Sequence, residues 1–137
     1  MSMLLMRAVN VYSKKHDGNQ NLTENFKVSE FACNDGADLI LIHPLLPEIC
    51  QSIRNKFGVP FSPNAAYRTI AQNIKVEGKS DSLHIYGMAV DIKCFSGVSA
   101  QQLYDYVDGL LGDWGELELY NWGIHIGITD AMRRVKG

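Results

Sequence analysis

The sequence predicts an α+β fold, in which an antiparallel sheet has helices packed mainly on one side. Amphipathic segments predict helices over residues 44–57 and 99–111. An alternating apolar pattern predicts a β-hairpin over residues 115–128. The chain has 137 residues, which suits one domain over residues 1–137, with a core large enough to need no disulfides.

Apolar periodicity and end signals place the other elements. Residues 69–76 are predicted to form a short helix, and residues 7–12 and 88–94 are predicted to form strands. Ser99 is the expected N-cap of the last helix, with Gln102 at the capping-box position. The polar segments 13–25 and 79–87 are predicted to be loops.

The composition limits the classes of partner. Thirteen Lys and Arg stand against 15 Asp and Glu, so no basic excess indicates nucleic acid. No stretch reaches the roughly 20 apolar residues of a membrane span. The apolar residues 3–6 are too few for the core of a signal peptide. We therefore expect no membrane segment and synthesis in the cytoplasm; action on a cell wall would follow export or lysis. A monomer is a separate expectation, which the composition does not establish.

The three cysteines do not suggest a disulfide framework or a cysteine zinc site. They are Cys33, Cys50 and Cys94, an odd number at wide spacing and without a CxxC pair. Free cysteines are among the most buried residue types. All three are therefore predicted to be reduced thiols in the core.

The apolar pattern of the hairpin selects its register. Pairing Tyr120 with Gly123 brings four apolar side chains to one face, namely Leu117, Leu119, Ile124 and Ile126. The other face then carries Glu118 directly opposite His125, and Glu116 opposite Gly127. Trp122 lies in the turn and Trp114 precedes the hairpin, so these rings either line a substrate groove or pack against the core or the turn.

Two residues in the segment 82–91 suggest a metal site. Asp91 lies inside an apolar strand, where an unpaired buried charge is costly, and a metal ion would provide its partner. His84 lies in the preceding loop, and Gly87 lets the chain turn between the two. His125 is a third candidate, although its spacing alone does not overturn the ordinary interpretation of a solvent-facing or hydrogen-bonded histidine.

The motif SxHxxGxAxD over residues 82–91, followed by the strand histidine His125, resembles the D-alanyl-D-alanine carboxypeptidase family of zinc peptidases. That family includes phage L-alanyl-D-glutamate endolysins and D,D-dipeptidases, which share a fold with Hedgehog. Residues 26–31 and 64–69 are also similar to family segments, so the resemblance covers about residues 26–128.

The resemblance implies a zinc site formed by His84, Asp91 and His125. Two histidines and one carboxylate leave a coordination position for water, which zinc activates while it polarises the scissile carbonyl. The implied substrate is a peptidoglycan stem peptide, cut at a bond involving a D-amino acid by a D,D-carboxypeptidase or an endopeptidase. A prophage-type lysis enzyme is one context that fits.

Two further residues have roles that the resemblance implies. Arg68 would bind a substrate carboxylate or stabilise the developing oxyanion. Ser82 would contact the substrate, although it would equally serve to hold the loop backbone near His84.

The sequence departs from the family pattern at two positions. Several relatives carry an acidic general base three residues before the last histidine, where this chain has Trp122, and closer relatives carry an Asp where it has Gly127. The hairpin register suggests Glu118 as the replacement base or as a hydrogen-bond partner of His125. Glu116 could occupy the space of the missing Asp. The plain alternative is two solvated glutamates on an exposed face.

A rival function follows from these departures. The chain would keep zinc on the three ligands but act as a catalytically weak or inactive module that binds cell-wall peptide without cutting it. A metal-free structural domain is the third alternative, and it would leave buried Asp91 without a partner.

Overall fold

The computed structural model describes residues 7–137, and the apolar residues 3–6 lie outside the described residues. The fold is α+β, as predicted. A small antiparallel sheet pairs β1 with β2, and a four-stranded sheet has the order β3-β5-β4-β6. The strands are β1 (Asn10–Ser13), β2 (Leu39–Ile42), β3 (Ala89–Lys93), β4 (Glu116–Tyr120), β5 (Gly123–Gly127) and β6 (Arg133–Lys136).

Within residues 7–137, four α-helices and two short 3-10 helices connect these strands. The α-helices are α1 (Lys14–Asp17), α2 (Leu45–Phe57), α3 (Ile70–Lys75) and α4 (Ala100–Leu111). The 3-10 helices are Val28–Phe31 and Leu83–Tyr86. The helices predicted over 44–57, 69–76 and 99–111 are confirmed, and Ser99 and Gln102 form the predicted capping box.

The hairpin forms in the predicted register. Glu118 pairs with His125, and Glu116 pairs with Gly127. On its other side β5 pairs antiparallel with β3, so Asp91 also lies directly opposite His125. The apolar side chains Leu117, Ile124 and Ile126 are fully buried, which explains why this register is selected.

Four elements differ from the sequence prediction. β2 and β6 were not predicted. The segment 13–25, predicted as a polar loop, contains the one-turn helix α1, which Ser13 caps, and the predicted loop 79–87 contains the 3-10 helix Leu83–Tyr86. β6 is a short polar strand that pairs parallel with β4, and four residues are too few to display a strand period.

The core lies between the four-stranded sheet and helices α2 and α4. Leu103 and Val107 of α4 and Ile53 of α2 are fully buried there. The opposite face of the sheet carries Asp91 and His125 and is open to a cleft. Within residues 7–137, no helix is long and apolar enough to cross a membrane.

The cysteine prediction is correct for two thiols and wrong for the third. Cys33 and Cys50 are buried, whereas Cys94 is exposed. Cys94 directly follows β3, in the turn that leaves the sheet, so its side chain lies beyond the packed core.

Candidate metal centre

Local backbone geometry fixes the position of His84. The residue lies in the 3-10 helix Leu83–Tyr86, where the Ser82 hydroxyl accepts a hydrogen bond from the His84 backbone N–H at 3.3 Å. Gly87 ends this helix at φ +70°, and a Cβ there would lie 2.4 Å from the Leu41 carbonyl oxygen. Only glycine therefore allows the chain to turn here, against β2, between His84 and β3.

An extended segment beside β3 orients the His84 ring. Ala65 bridges to Asp91, whose backbone N–H donates to the Ala65 carbonyl at 2.7 Å. The neighbouring Ala66 carbonyl lies 2.7 Å from His84 Nδ1, and the Arg68 N–H donates to the His84 carbonyl at 3.0 Å. His84 is only 3% exposed. The carbonyl of Ala66 can only accept, so Nδ1 carries the hydrogen and Nε2 points away from the segment.

Asp91 lies between the two histidines. Its Oδ1 atom is 3.2 Å from His84 Nε2 and 2.8 Å from His125 Nδ1. Burial disfavours the carboxylate, but the hydrogen bonds with His125 and His84 outweigh it and hold the pKa of Asp91 below its usual range. The buried Asp is therefore ionised.

The second nitrogen of His125 contacts Glu116. Nε2 lies 2.6 Å from Glu116 Oε1. Burial disfavours the charged ring, but the hydrogen bonds to Asp91 and Glu116 outweigh it and raise the pKa of His125 to about 9. The ring thus lies between two carboxylates on opposite sides.

Three electron-pair donors converge at this point and fit a metal ion. His84 Nε2, Asp91 Oδ1 and His125 Nδ1 all lie within 4.8 Å of one another. When both rings are neutral, the hydrogen bonds to Ala66 and Glu116 place the ring hydrogens on the outer nitrogens, so three lone pairs face one another. Such a group needs a proton or a metal cation. Zinc–nitrogen bonds of about 2.0–2.1 Å place two ligands of one ion roughly 3–3.5 Å apart. The distances from Asp91 Oδ1 to the two ring nitrogens, 3.2 Å and 2.8 Å, are close to this.

Glu118 does not hydrogen-bond to His125, although the two residues lie directly opposite each other. Its Oε1 accepts from the Tyr120 hydroxyl at 2.5 Å, and its Oε2 pairs with Arg133 of β6. Burial raises the pKa of Glu118, but these two hydrogen bonds outweigh it, and the net pKa is lowered. The alternative of two solvated glutamates is wrong, because the side chains of Glu116 and Glu118 are only 21% and 14% exposed.

The three candidate ligands lie in an open cleft of about 570 Å³. Arg68 and Ser82 line the same cleft, as do Glu116 and Glu118. Arg68 donates a hydrogen bond from Nη1 to Asn73 Oδ1 at 3.1 Å, and Asn73 is buried. The structure thus brings all six predicted site residues to one cavity: Arg68, Ser82, His84, Asp91, Glu118 and His125.

Aromatic and cationic residues extend the lining. Trp122 stacks on Tyr120 with ring centroids 5.1 Å apart and planes 7° apart, and both rings face the cleft. Trp114 instead packs against the core. Lys79 and Arg133 also line the cleft. Sequence reasoning missed Tyr120, Lys79 and Arg133; Arg133 could not be found because β6 itself carried no strand signal.

An α+β fold with a His–Asp–His group in an open cleft is a suitable framework for a metal-dependent hydrolase. The chain belongs to the Peptidase M15 family, whose model matches residues 20–127. This match confirms the resemblance drawn from the SxHxxGxAxD motif. Members of the family are zinc-dependent peptidases, so the class of substrate is a peptide. Among curated proteins, none matches the chain.

Proposed function

We propose that this protein is a zinc peptidase that hydrolyses a peptide bond involving a D-amino acid in peptidoglycan stem peptides. It would act as a D,D-carboxypeptidase or an endopeptidase, with residues 1–137 as one catalytic domain. The observation that carries the proposal is the convergence of His84 Nε2, Asp91 Oδ1 and His125 Nδ1 in a cleft that also contains Arg68. The motif shared with D-alanyl-D-alanine carboxypeptidases supports the choice of substrate.

These three side chains would hold the zinc ion through the atoms that face one another. When bound, zinc lowers the pKa of a coordinated water and polarises the scissile carbonyl. The protein's contribution is to keep both rings in one orientation. The Ala66 carbonyl does this for His84, and this contact is buried.

Arg68 is the proposed anchor for the substrate. Its planar guanidinium can bind a carboxylate through two parallel hydrogen bonds, and a stem peptide ends in a free carboxylate. The hydrogen bond to Asn73 holds the side chain at the cleft wall. Ser82 lies beside it and caps the 3-10 helix of His84, so a substrate contact would be a second role for the same hydroxyl.

Glu118 is the proposed general base. A base must be ionised to accept a proton, and the lowered pKa of Glu118 keeps it so at neutral pH. Each carboxylate oxygen has a second lone pair beyond the ones used by Tyr120 and Arg133. After accepting the proton, Glu118 would deliver it to the leaving amine.

A second candidate function is a zinc-bearing module that binds cell-wall peptide without cutting it. The observation that favours it is Trp122, which occupies the position where several relatives have their acidic base. Trp122 stacks on Tyr120 and offers an aromatic surface inside the cleft. Such a surface suits binding more than proton transfer.

Hydrolysis of purified muropeptides, followed by mass spectrometry, tests the proposal. We expect the zinc-loaded protein to release D-Ala or a cleaved stem. Glu118→Gln should retain zinc and lose about 100-fold or more in rate. Lys56→Ala, on the exposed end of α2, is the control that should match the wild type. Muropeptide binding without cleavage would favour the binding module, and neither binding nor cleavage would contradict both functions.

A further inference from the structure

We propose that Glu116 is a positioning residue that holds the His125 ring with Nδ1 turned toward the metal. This inference rests on the proposed function, because it concerns the same zinc site. It assigns a role to a carboxylate that neither binds the ion nor takes part in proton transfer.

Each of the two ring nitrogens of His125 faces a carboxylate oxygen. Nε2 lies 2.6 Å from Glu116 Oε1, and Nδ1 lies 2.8 Å from Asp91 Oδ1. An ionised carboxylate can only accept a hydrogen bond, so Nε2 must donate. In the neutral ring the lone pair then belongs to Nδ1, on the side of Asp91 and His84. A carboxylate behind a metal-binding histidine fixes both the tautomer and the ring orientation.

The strand geometry explains why Glu116 has this role and Glu118 does not. Glu118 lies directly opposite His125, but its two oxygens are engaged by Tyr120 and Arg133. Glu116 lies two residues earlier on the same face, and diagonal neighbours are within reach of long side chains. Its second oxygen, Oε2, lies 3.6 Å from Arg133 Nη1, which further steadies the carboxylate.

Gly127 provides the space for this contact. It pairs with Glu116 across the hairpin. A Cβ on Gly127 would lie 3.1 Å from Glu116 Cβ, 3.2 Å from Glu116 Oε1 and 2.7 Å from Leu83 Cδ1. The Glu116 side chain therefore fills the place that a side chain at position 127 would take.

Zinc affinity, measured by competition with a chelating indicator, tests the role without any activity assay. We expect Glu116→Ala to weaken zinc binding by about 10- to 100-fold, the usual effect of losing such a partner. Glu116→Gln keeps an acceptor oxygen, so it should recover most of the affinity. Glu118→Gln is the matched control on the same strand and should keep wild-type affinity.

The ring tautomer can be measured directly in the wild-type protein, where no variant can fail to fold. Long-range ¹H–¹⁵N correlation spectra of the zinc-loaded protein should show a hydrogen on His125 Nε2 and the metal on Nδ1. Zinc on Nε2, or wild-type affinity in Glu116→Ala, would overturn the role of Glu116 and leave the zinc site standing. Absence of zinc binding by the wild type would overturn the site and this inference together.

Discussion

Arg133 of β6 forms an ion pair with Glu118 of β4, the residue that lies directly opposite His125. The hydrogen bond from Arg133 and its positive charge both lower the pKa of Glu118. Removal of the Arg133 guanidinium therefore raises this pKa. Glu118 also contacts the Tyr120 hydroxyl, with Glu116 beside it on the strand. If Glu118 is the base, activity is present above its pKa and is lost as the pH falls through it. Arg133→Ala should therefore move the acid limb of kcat/KM to higher pH.

Lys136→Ala is the matched control for this profile, because Lys136 lies on the same strand but outside the cleft. Its acid limb should coincide with that of the wild type. Zinc content is measured at each pH, since protonation of the histidines also releases metal. An unshifted limb in zinc-loaded Arg133→Ala would contradict the role of Glu118 as base.

Substrate anchoring by Arg68 predicts a loss of activity without a loss of metal. Arg68→Ala should lower kcat/KM for a muropeptide by about 10- to 1,000-fold, because a two-point contact to a carboxylate or oxyanion is removed. Arg68→Lys keeps the charge but not the planar fork, so it should recover only part of this. Steady-state kinetics with zinc content measured in parallel would check both. Equal kcat/KM in wild type and Arg68→Ala would rule out the contact.

The turn at Gly87 predicts a large loss of stability on substitution. Gly87→Ala introduces a side chain at φ +70°, and its Cβ would lie 2.4 Å from the Leu41 carbonyl oxygen. Gly58 has φ +69° but open space around its Cβ position, so Gly58→Ala isolates the backbone cost. We expect a loss of about 1 kcal/mol in the free energy of unfolding for Gly58→Ala. Gly87→Ala should lose at least about 2 kcal/mol.

Urea unfolding of the two glycine variants provides the comparison. The difference between them measures the packing of the turn against β2, since the backbone conformations are the same. Equal losses in the two variants would show that the chain at residue 87 is not packed against Leu41 as described.

The different exposure of the three cysteines predicts that their thiols react at different rates. Cys94 is exposed, whereas Cys33 and Cys50 are buried, and burial raises the pKa of the Cys50 thiol. One equivalent of thiol should react rapidly with a disulfide reagent in the native protein, and three after denaturation. Cys94→Ser should abolish the rapid phase. A rapid phase that persists in this variant would mean that another thiol is accessible.

Much of the site could be predicted from the sequence because its geometry follows from strand periodicity. The alternating pattern from residue 115 to 128 allows one register that brings all four apolar side chains to one face, and that register places Glu118 opposite His125. The clustering of His84, Asp91 and His125 requires in addition that β3 and β5 be neighbours. Strand periodicity alone does not predict that pairing.

The features of the site that could not be predicted from the sequence depend on side-chain direction and on β6. A register states which residues face each other, but not which of two glutamates reaches a ring nitrogen. Arg133 forms an ion pair with Glu118, so Glu116 is the glutamate that contacts the His125 ring nitrogen. β6 has only four residues, too few for a periodic signal, so its parallel pairing with β4 could not be derived.

Anomalous X-ray scattering at the zinc edge, on crystals grown with zinc, locates the metal ion itself. We expect one anomalous peak enclosed by His84 Nε2, Asp91 Oδ1 and His125 Nδ1, and no such peak in crystals of Asp91→Ala. A peak elsewhere on the surface, or an empty position among these three atoms at saturating zinc, would contradict the metal centre on which the proposed peptidase depends.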